Sequence, residues 1–243
     1  MSANRIGAAF KLHFANPMTV VTLPLMIFAF IFAVNWIIWL IVNLAASEEG
    51  TEGMTSGTSW SGASMFIFVW LLVLAVQAMN RTFHFALGFG TTRRDYFLGT
   101  VAALLALCAG WAVVFGILAG LEELTGGWGL GGHMFAVQYF GSDGPFVRVW
   151  YVFLVMLFFA ALGLIAGALF VRWRQLGLIG FFAAFALVLV AAFGTIALTD
   201  SWERVGRFFA GLGFAGTYPL LLVPVAIAGG LGYLALRRAT ARS

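Results

Sequence analysis

Apolar residues in this chain gather into long runs, without the strict alternation of a strand or the narrow stripe of a surface helix. Six runs stand out, at about 18–43, 62–84, 98–121, 147–172, 176–199 and 216–238. An α-helix needs ~20 predominantly apolar residues to cross ~30 Å of hydrocarbon, so every run is long enough to span, some with tilt. The pattern predicts an all-α membrane protein, a single transmembrane domain over residues 1–243 with six transmembrane helices.

The segments between the runs carry patterns of their own. In Ala3–Ala15, Ile6, Phe10 and Phe14 recur every four residues with Arg5 and Lys11 elsewhere around the helix. That spacing predicts an amphipathic helix over 3–15, lying in the membrane interface. Asn16-Pro17 reads as an N-cap with proline at the first helical position. Pro24, inside the first run, removes a backbone bond and should bend the helix. The connection "ASEEGTEGMTSGTSWSGAS" is rich in Gly, Ser and Thr and is expected to be mobile. The connection at 122–146 is longer and holds Trp128, His133, Phe135, Tyr139 and Phe140 among glycines. It reads either as a flap anchored at headgroup level or as a lid that touches a substrate. In 200–214, Asp200 and Glu203 have the spacing of a capping box. Trp202, Val205, Phe208, Phe209 and Leu212 then keep helical spacing, which predicts a short external helix half-sunk in the membrane. Pro219 and Pro224 should break or kink the start of the last span. Gly116/Gly120 and Gly163/Gly167 permit close helix approach, read as packing within one subunit.

Charge fixes the orientation. The chain is 63% hydrophobic and 9% charged, with a mean hydropathy of +1.02, whereas soluble domains carry about a quarter charged residues. Alternating the spans places Arg5, Lys11, Arg81, Arg93, Arg94, Arg172, Arg174, Arg237, Arg238 and Arg242 on the side of both termini. The opposite side holds Arg148, Arg204 and Arg207, together with Glu48, Glu49, Glu52, Glu122, Glu123, Asp143, Asp200 and Glu203; Asp95 is the one acid that joins the termini. Lys and Arg accumulate in cytoplasmic loops, so both termini are expected in the cytoplasm. The basic balance thus serves topology, with no nucleic-acid partner implied. The first run is too long for the apolar core of a cleavable signal and reads as a span. The lone Cys108 sits inside an apolar run and reads as a buried, inert thiol.

Short catalytic motifs fail one by one. "EELTGGW" begins like the Glu-Glu pair of intramembrane CAAX-type proteases but lacks the arginine expected four residues later. "GTSWSG" is not G-x-S-x-G, because position 61 is Ser. There is no H-E-x-x-H, and the three histidines are far apart, so no metal site is expected. Ion-coupled transport generally needs an ionisable group within the membrane, and the span centres offer neutral groups only. Asn35 and Asn43 share a face of the first span; Gln77, Asn80 and His84 form a row on the second. They read as amides bonded to neighbouring helices or, alternatively, as a polar stripe along a path. A P-loop requires lysine after glycine, and the only lysine, Lys11, follows no glycine-rich loop. If ATP drives this protein, the motor is another polypeptide.

One connection is more specific than an anchor requires: "FALGFGTTRRDYFLGT", Phe85 to Thr100. Gly88 and Gly90 allow a sharp turn, Thr92 or Thr91 can cap a short helix, and Arg93, Arg94 and Asp95 would project into the cytoplasm. Positive-inside anchoring is the plainer reading of the arginines. The phrase resembles the first cytoplasmic loop of the type-2 ABC transporter permeases, and the six-span layout is similar to theirs. The resemblance implies a permease half working as a dimer with a second, identical chain and two copies of a separate ABC ATPase subunit. ATP and Mg would sit on the ATPase, with no cofactor on this chain. Carried over, 85–98 would be the coupling loop, with Thr91, Thr92, Arg93, Arg94, Asp95 and Tyr96 contacting the ATPase. Ile6, Phe10 and Phe14 would mark the connecting helix. Phe66, Trp70 and Gln77, with Phe182, Phe185 and Thr195, would line the translocation path.

The expectation is therefore an exporter permease of a bacterial inner membrane, moving a hydrophobic or amphipathic solute such as a drug, lipid or peptide. A non-transporting membrane scaffold or sensor, whose basic loop docks a partner, is the alternative. An intramembrane enzyme is disfavoured by the failed motifs.

Overall fold

The computed structural model describes residues 2–45, 48–141 and 144–237; Asp143, Arg238 and Arg242 of the charge pattern lie outside them. The described residues form helices and connections, with no strand. Helix α1 is Ser2–His13 and α2 is Leu23–Ala45, entered through a π-helical turn at Met18–Thr22. That turn lies immediately before Pro24, where the missing N–H would interrupt a regular ladder. Next come α3, Glu48–Thr58; α4, Phe66–Gly88; and α5, Arg93–Leu124. The chain closes with α6, Pro145–Leu198; α7, Trp202–Thr217; and α8, Leu222–Arg237.

Among the described residues, five helical stretches are long and apolar enough to cross a membrane: Met18–Ala45, Gly53–Gly88, Arg93–Leu124, Pro145–Leu198 and Trp202–Arg237. The protein is thus an all-α, multi-pass membrane protein. Large side chains such as Phe30, Ile38, Ile41, Val188 and Val190 stand exposed along α2 and the far half of α6. A continuous apolar exterior of this extent suits lipid, not water.

Small residues set the packing. At Gly163 an added Cβ would lie 2.2 Å from the Leu72 carbonyl oxygen, and at Gly167 2.7 Å from Met79 Cβ, so α4 and α6 touch nearly backbone to backbone. Gly116 instead leaves room for the Val149 side chain, whose Cγ2 would lie 2.2 Å from an added Cβ, whereas Gly120 has nothing within 4 Å. The Gly163/Gly167 pair therefore packs inside the subunit, and only half of the Gly116/Gly120 pair does so. Between the helices lies an aromatic core of Phe68, Phe115, Phe135 and Phe140, with ring centroids 5.5–6.3 Å apart.

Contacts at the two ends of the bundle sort the connections. At one end His13 meets Thr100 and Arg93 meets the carbonyl of Arg237. At the other, Asn43 reaches the Leu130 carbonyl, Gln138 N–H donates to Ser59 O, and the Tyr218 hydroxyl donates to Tyr139 O.

The apolar runs 147–172 and 176–199 are the two limbs of α6, which breaks between them at Arg174 (φ 59°, ψ −143°). Other expectations need correction. No separate short helix precedes the third span: Arg93, Arg94 and Asp95 are the first turn of α5 itself. The Ser/Thr/Gly-rich connection before α4 contains helix α3, and Ser56, Thr58 and Ser59 turn their hydroxyls onto carbonyls three residues back. The Asp200–Glu203 capping box does not form. Asp200 adopts φ 46°, Ser201 occupies the cap position without a side-chain bond, and Glu203 faces Arg207 at 3.8 Å.

Candidate functional site

The α4–α5 elbow is assembled from local signals. Helix α4 ends when Gly90 takes φ 78°; its N–H then bonds Leu87 O at 3.0 Å and Thr91 N–H bonds Ala86 O at 3.2 Å. This is the paired bonding of a Schellman stop, and only glycine enters that conformation without cost. Gly88 remains helical with nothing near it, so Gly90 alone makes the turn. Thr92 then caps α5, its hydroxyl oxygen accepting from Asp95 N–H at 3.1 Å. Asp95 adds a negative charge to that first helical turn.

The predicted contact residues divide into two groups. Tyr96 and Asp95 are buried. The Tyr96 hydroxyl donates to Ala78 O at 2.8 Å and lies 2.7 Å from Thr82 Oγ1, whose own hydroxyl donates to Ala78 O. Tyr96 therefore bolts α5 to α4 and presents nothing outward. Arg93 Nη1 donates to Arg237 O at 2.8 Å and so caps the end of α8. Arg94 and Thr92 are exposed, beside Phe85 and Phe89, whose rings lie 4.7 Å apart and are both largely exposed.

The N-terminal helix docks on this elbow. Ile6, Phe10 and Phe14 are half-buried, and the residue that packs most tightly is Ala9, between them. A Cβ at Gly99 would come within 2.6 Å of Ala9 Cβ and 2.8 Å of Ile6 O, so α1 crosses α5 at a bare backbone. His13 Nε2 lies 2.9 Å from Thr100 Oγ1. Thr100 already donates to Tyr96 O at 2.9 Å, so its oxygen accepts from the imidazole N–H. Burial lowers the His13 pKa from 6.5 to about 4.

The path residues fall on two separated helix faces. Phe66 and Trp70 pair at 5.9 Å on α4, with Gln77 two turns further on. The Trp70 indole N–H is buried without a partner. Phe185 stacks on Phe181 at 6.3 Å, Phe182 is exposed, and Thr195 donates to Ala191 O of its own helix. Among the described residues no ring contact or hydrogen bond joins the two groups.

What sequence reasoning missed is Glu122. Its side chain is fully buried at the end of α5 and collects four donors: Trp128 Nε1, Met134 N and Phe135 N on Oε2, and Ala136 N on Oε1, all at 2.9–3.0 Å. His133 Nδ1 stands 3.4 Å from Oε1. The neighbouring Glu123 pairs with buried Arg148 at 2.6 Å, and Arg148 reaches Gly141 O. The connection at 122–146 is therefore wound around one carboxylate, with Met134, Phe135, Val137 and Phe140 in the core. It rests on α2 because Gly132 leaves room for the Trp39 ring. The sequence signal was present in Glu122–Glu123 before a glycine-rich segment, whose unpaired N–H groups require an acceptor.

Comparison with family models, with curated proteins and with solved structures gave no match.

Proposed function

We propose that the chain is the membrane-embedded permease subunit of an ATP-driven exporter of the type-2 ABC class, moving a hydrophobic or amphipathic solute. One observation carries the reading: Tyr96 locks α4 and α5 together through Ala78 O and Thr82 Oγ1 at the elbow. Arg93 adds α8 and Gly99 adds α1 to the same joint. A force on the exposed Thr92–Arg94 tip thus reaches four helices at once, which is what mechanical coupling to an external motor requires. In this reading the break at Arg174 turns α6 into two crossings, so the chain spans six times. The basic end, with both termini, faces the cytoplasm of a bacterial inner membrane. Two ATPase copies bind ATP and Mg, and a second permease chain completes the path. The unpaired Trp70 N–H beside Phe66, on the helix that also carries Gln77, supports a path wall there.

A second reading is a membrane scaffold or sensor, and the closed outer cap on Glu122 favours it, because a fixed ectodomain surface is what a sensor presents.

The test is co-expression with an ABC ATPase encoded next to this chain, followed by co-purification and ATP turnover in liposomes. Arg94→Glu, at an exposed residue with no ion-pair partner among the described residues, should reduce assembly or turnover at least tenfold while the spans stay inserted. Unchanged assembly and turnover would reject the coupling role.

A further inference from the structure

We propose that the corner of α6 holds one anionic glycerophospholipid, its acyl chain in a groove between the two limbs of α6 and α8 and its phosphate on Arg172. The groove encloses about 480 Å³, within the ~300–1,000 Å³ range of ligand pockets. Leu169, Phe181, Ala184, Leu231 and Leu234 form its walls, and among the described residues Arg172 is the only charged one lining it. The corner itself is closely packed. Arg174 takes the left-handed φ of 59°, and a Cβ at Gly177 would lie 2.7 Å from Leu169 O, so the returning limb crosses closely there before the limbs diverge.

Charge selects the occupant. Arg172 lies over the Trp173 ring at 4.2 Å, and among the described residues neither Arg172 nor Arg174 has a carboxylate within ion-pair distance. Arg94 and Arg237 are exposed at the same end, and the acid nearby, Asp95, is buried. A guanidinium at the mouth of an apolar groove matches a phosphate carried on a hydrocarbon chain, and basic pockets between helices are where anionic headgroups bind. A free anion would leave the apolar walls empty. A choline headgroup would place a cation among the arginines.

The experiment is native mass spectrometry of the detergent-purified full chain titrated with dioleoyl phosphatidylglycerol or dioleoyl phosphatidylcholine. The wild type should retain one phosphatidylglycerol at roughly tenfold lower concentration than phosphatidylcholine. Arg172→Gln should abolish that preference. Ala184→Trp, at an exposed wall position, should weaken retention of both lipids about tenfold with an unchanged thermal melt. Arg207→Gln, exposed and on another helix, should behave as wild type. Equal retention of both lipids, or a preference that survives Arg172→Gln, overturns the proposal. So does displacement of phosphatidylglycerol by millimolar inorganic phosphate. An Ala184→Trp variant that alters only the oligomeric state would assign the groove to a second copy of the chain and also overturn it.

Discussion

Trp128 donates its indole N–H to Glu122 at 2.9 Å while its own backbone sits in the left-handed region, at φ 60°. A non-glycine residue holds that conformation only where its surroundings over-determine it. Here the carboxylate, which also gathers three backbone N–H groups of the same connection, supplies the constraint. The end of the bundle that carries residues 122–141 is thereby organised around the buried Glu122.

Glu122→Gln should therefore loosen the whole segment that winds around it. An amide nitrogen would replace one accepting oxygen and face N–H donors, leaving at least one buried donor unpaired at a cost of about 1–3 kcal/mol. The expected outcome is a lower melting temperature together with new proteolytic cuts within 125–141, detected by mass spectrometry.

The small residues on α6 are required by contact. Gly163→Ala would drive a methyl against the Leu72 carbonyl, 2.2 Å away, and should destabilise by about 1–3 kcal/mol. Gly120→Ala has open space and should be neutral or stabilising by up to ~1 kcal/mol, the ordinary helical gain over glycine. Unfolding in mixed micelles separates the two.

At the elbow, Gly90→Ala should cost about 1–2 kcal/mol because its φ of 78° is left-handed, whereas Gly88→Ala should not. Tyr96→Phe removes the bolt between α4 and α5. It should raise hydrogen exchange across 78–96 and lower stability by about 1 kcal/mol.

Acidification should release α1. The docked His13 has a pKa of about 4 against an ordinary 6.5, so the undocked state binds more protons between those values. Docking is complete above pH 6.5 and weakens as pH falls, by about 2 kcal/mol at pH 5. Hydrogen exchange of residues 2–13 at pH 7 and pH 5 measures the effect. His13→Asn should remove the pH dependence.

The helices were legible because each apolar run must satisfy its backbone internally, so length and composition nearly suffice. The caps at Thr92 and Gly90 were legible too, being written in adjacent residues. The α6 corner was legible as well, because Arg174 lies in the basic interval between the runs 147–172 and 176–199. Glu122 was passed over because its four donors come from residues six to fourteen positions further along the chain. The burial of Tyr96 was hidden for a similar reason, since its partners Ala78 and Thr82 lie on the preceding helix.

By itself the sequence determined that this is an all-α membrane protein, where its apolar helices lie, and that its cations gather at the connections alternation assigns to one end. Hydrophobic length and charge asymmetry are local properties, and they act on each segment separately. Tertiary structure decided which polar groups face one another: Tyr96 turned inward, Arg93 set to cap α8, and Glu122 made the centre of the segment that follows α5. Those outcomes depend on directions between helices, and direction is fixed only once glycines such as Gly99 and Gly163 let the backbones approach.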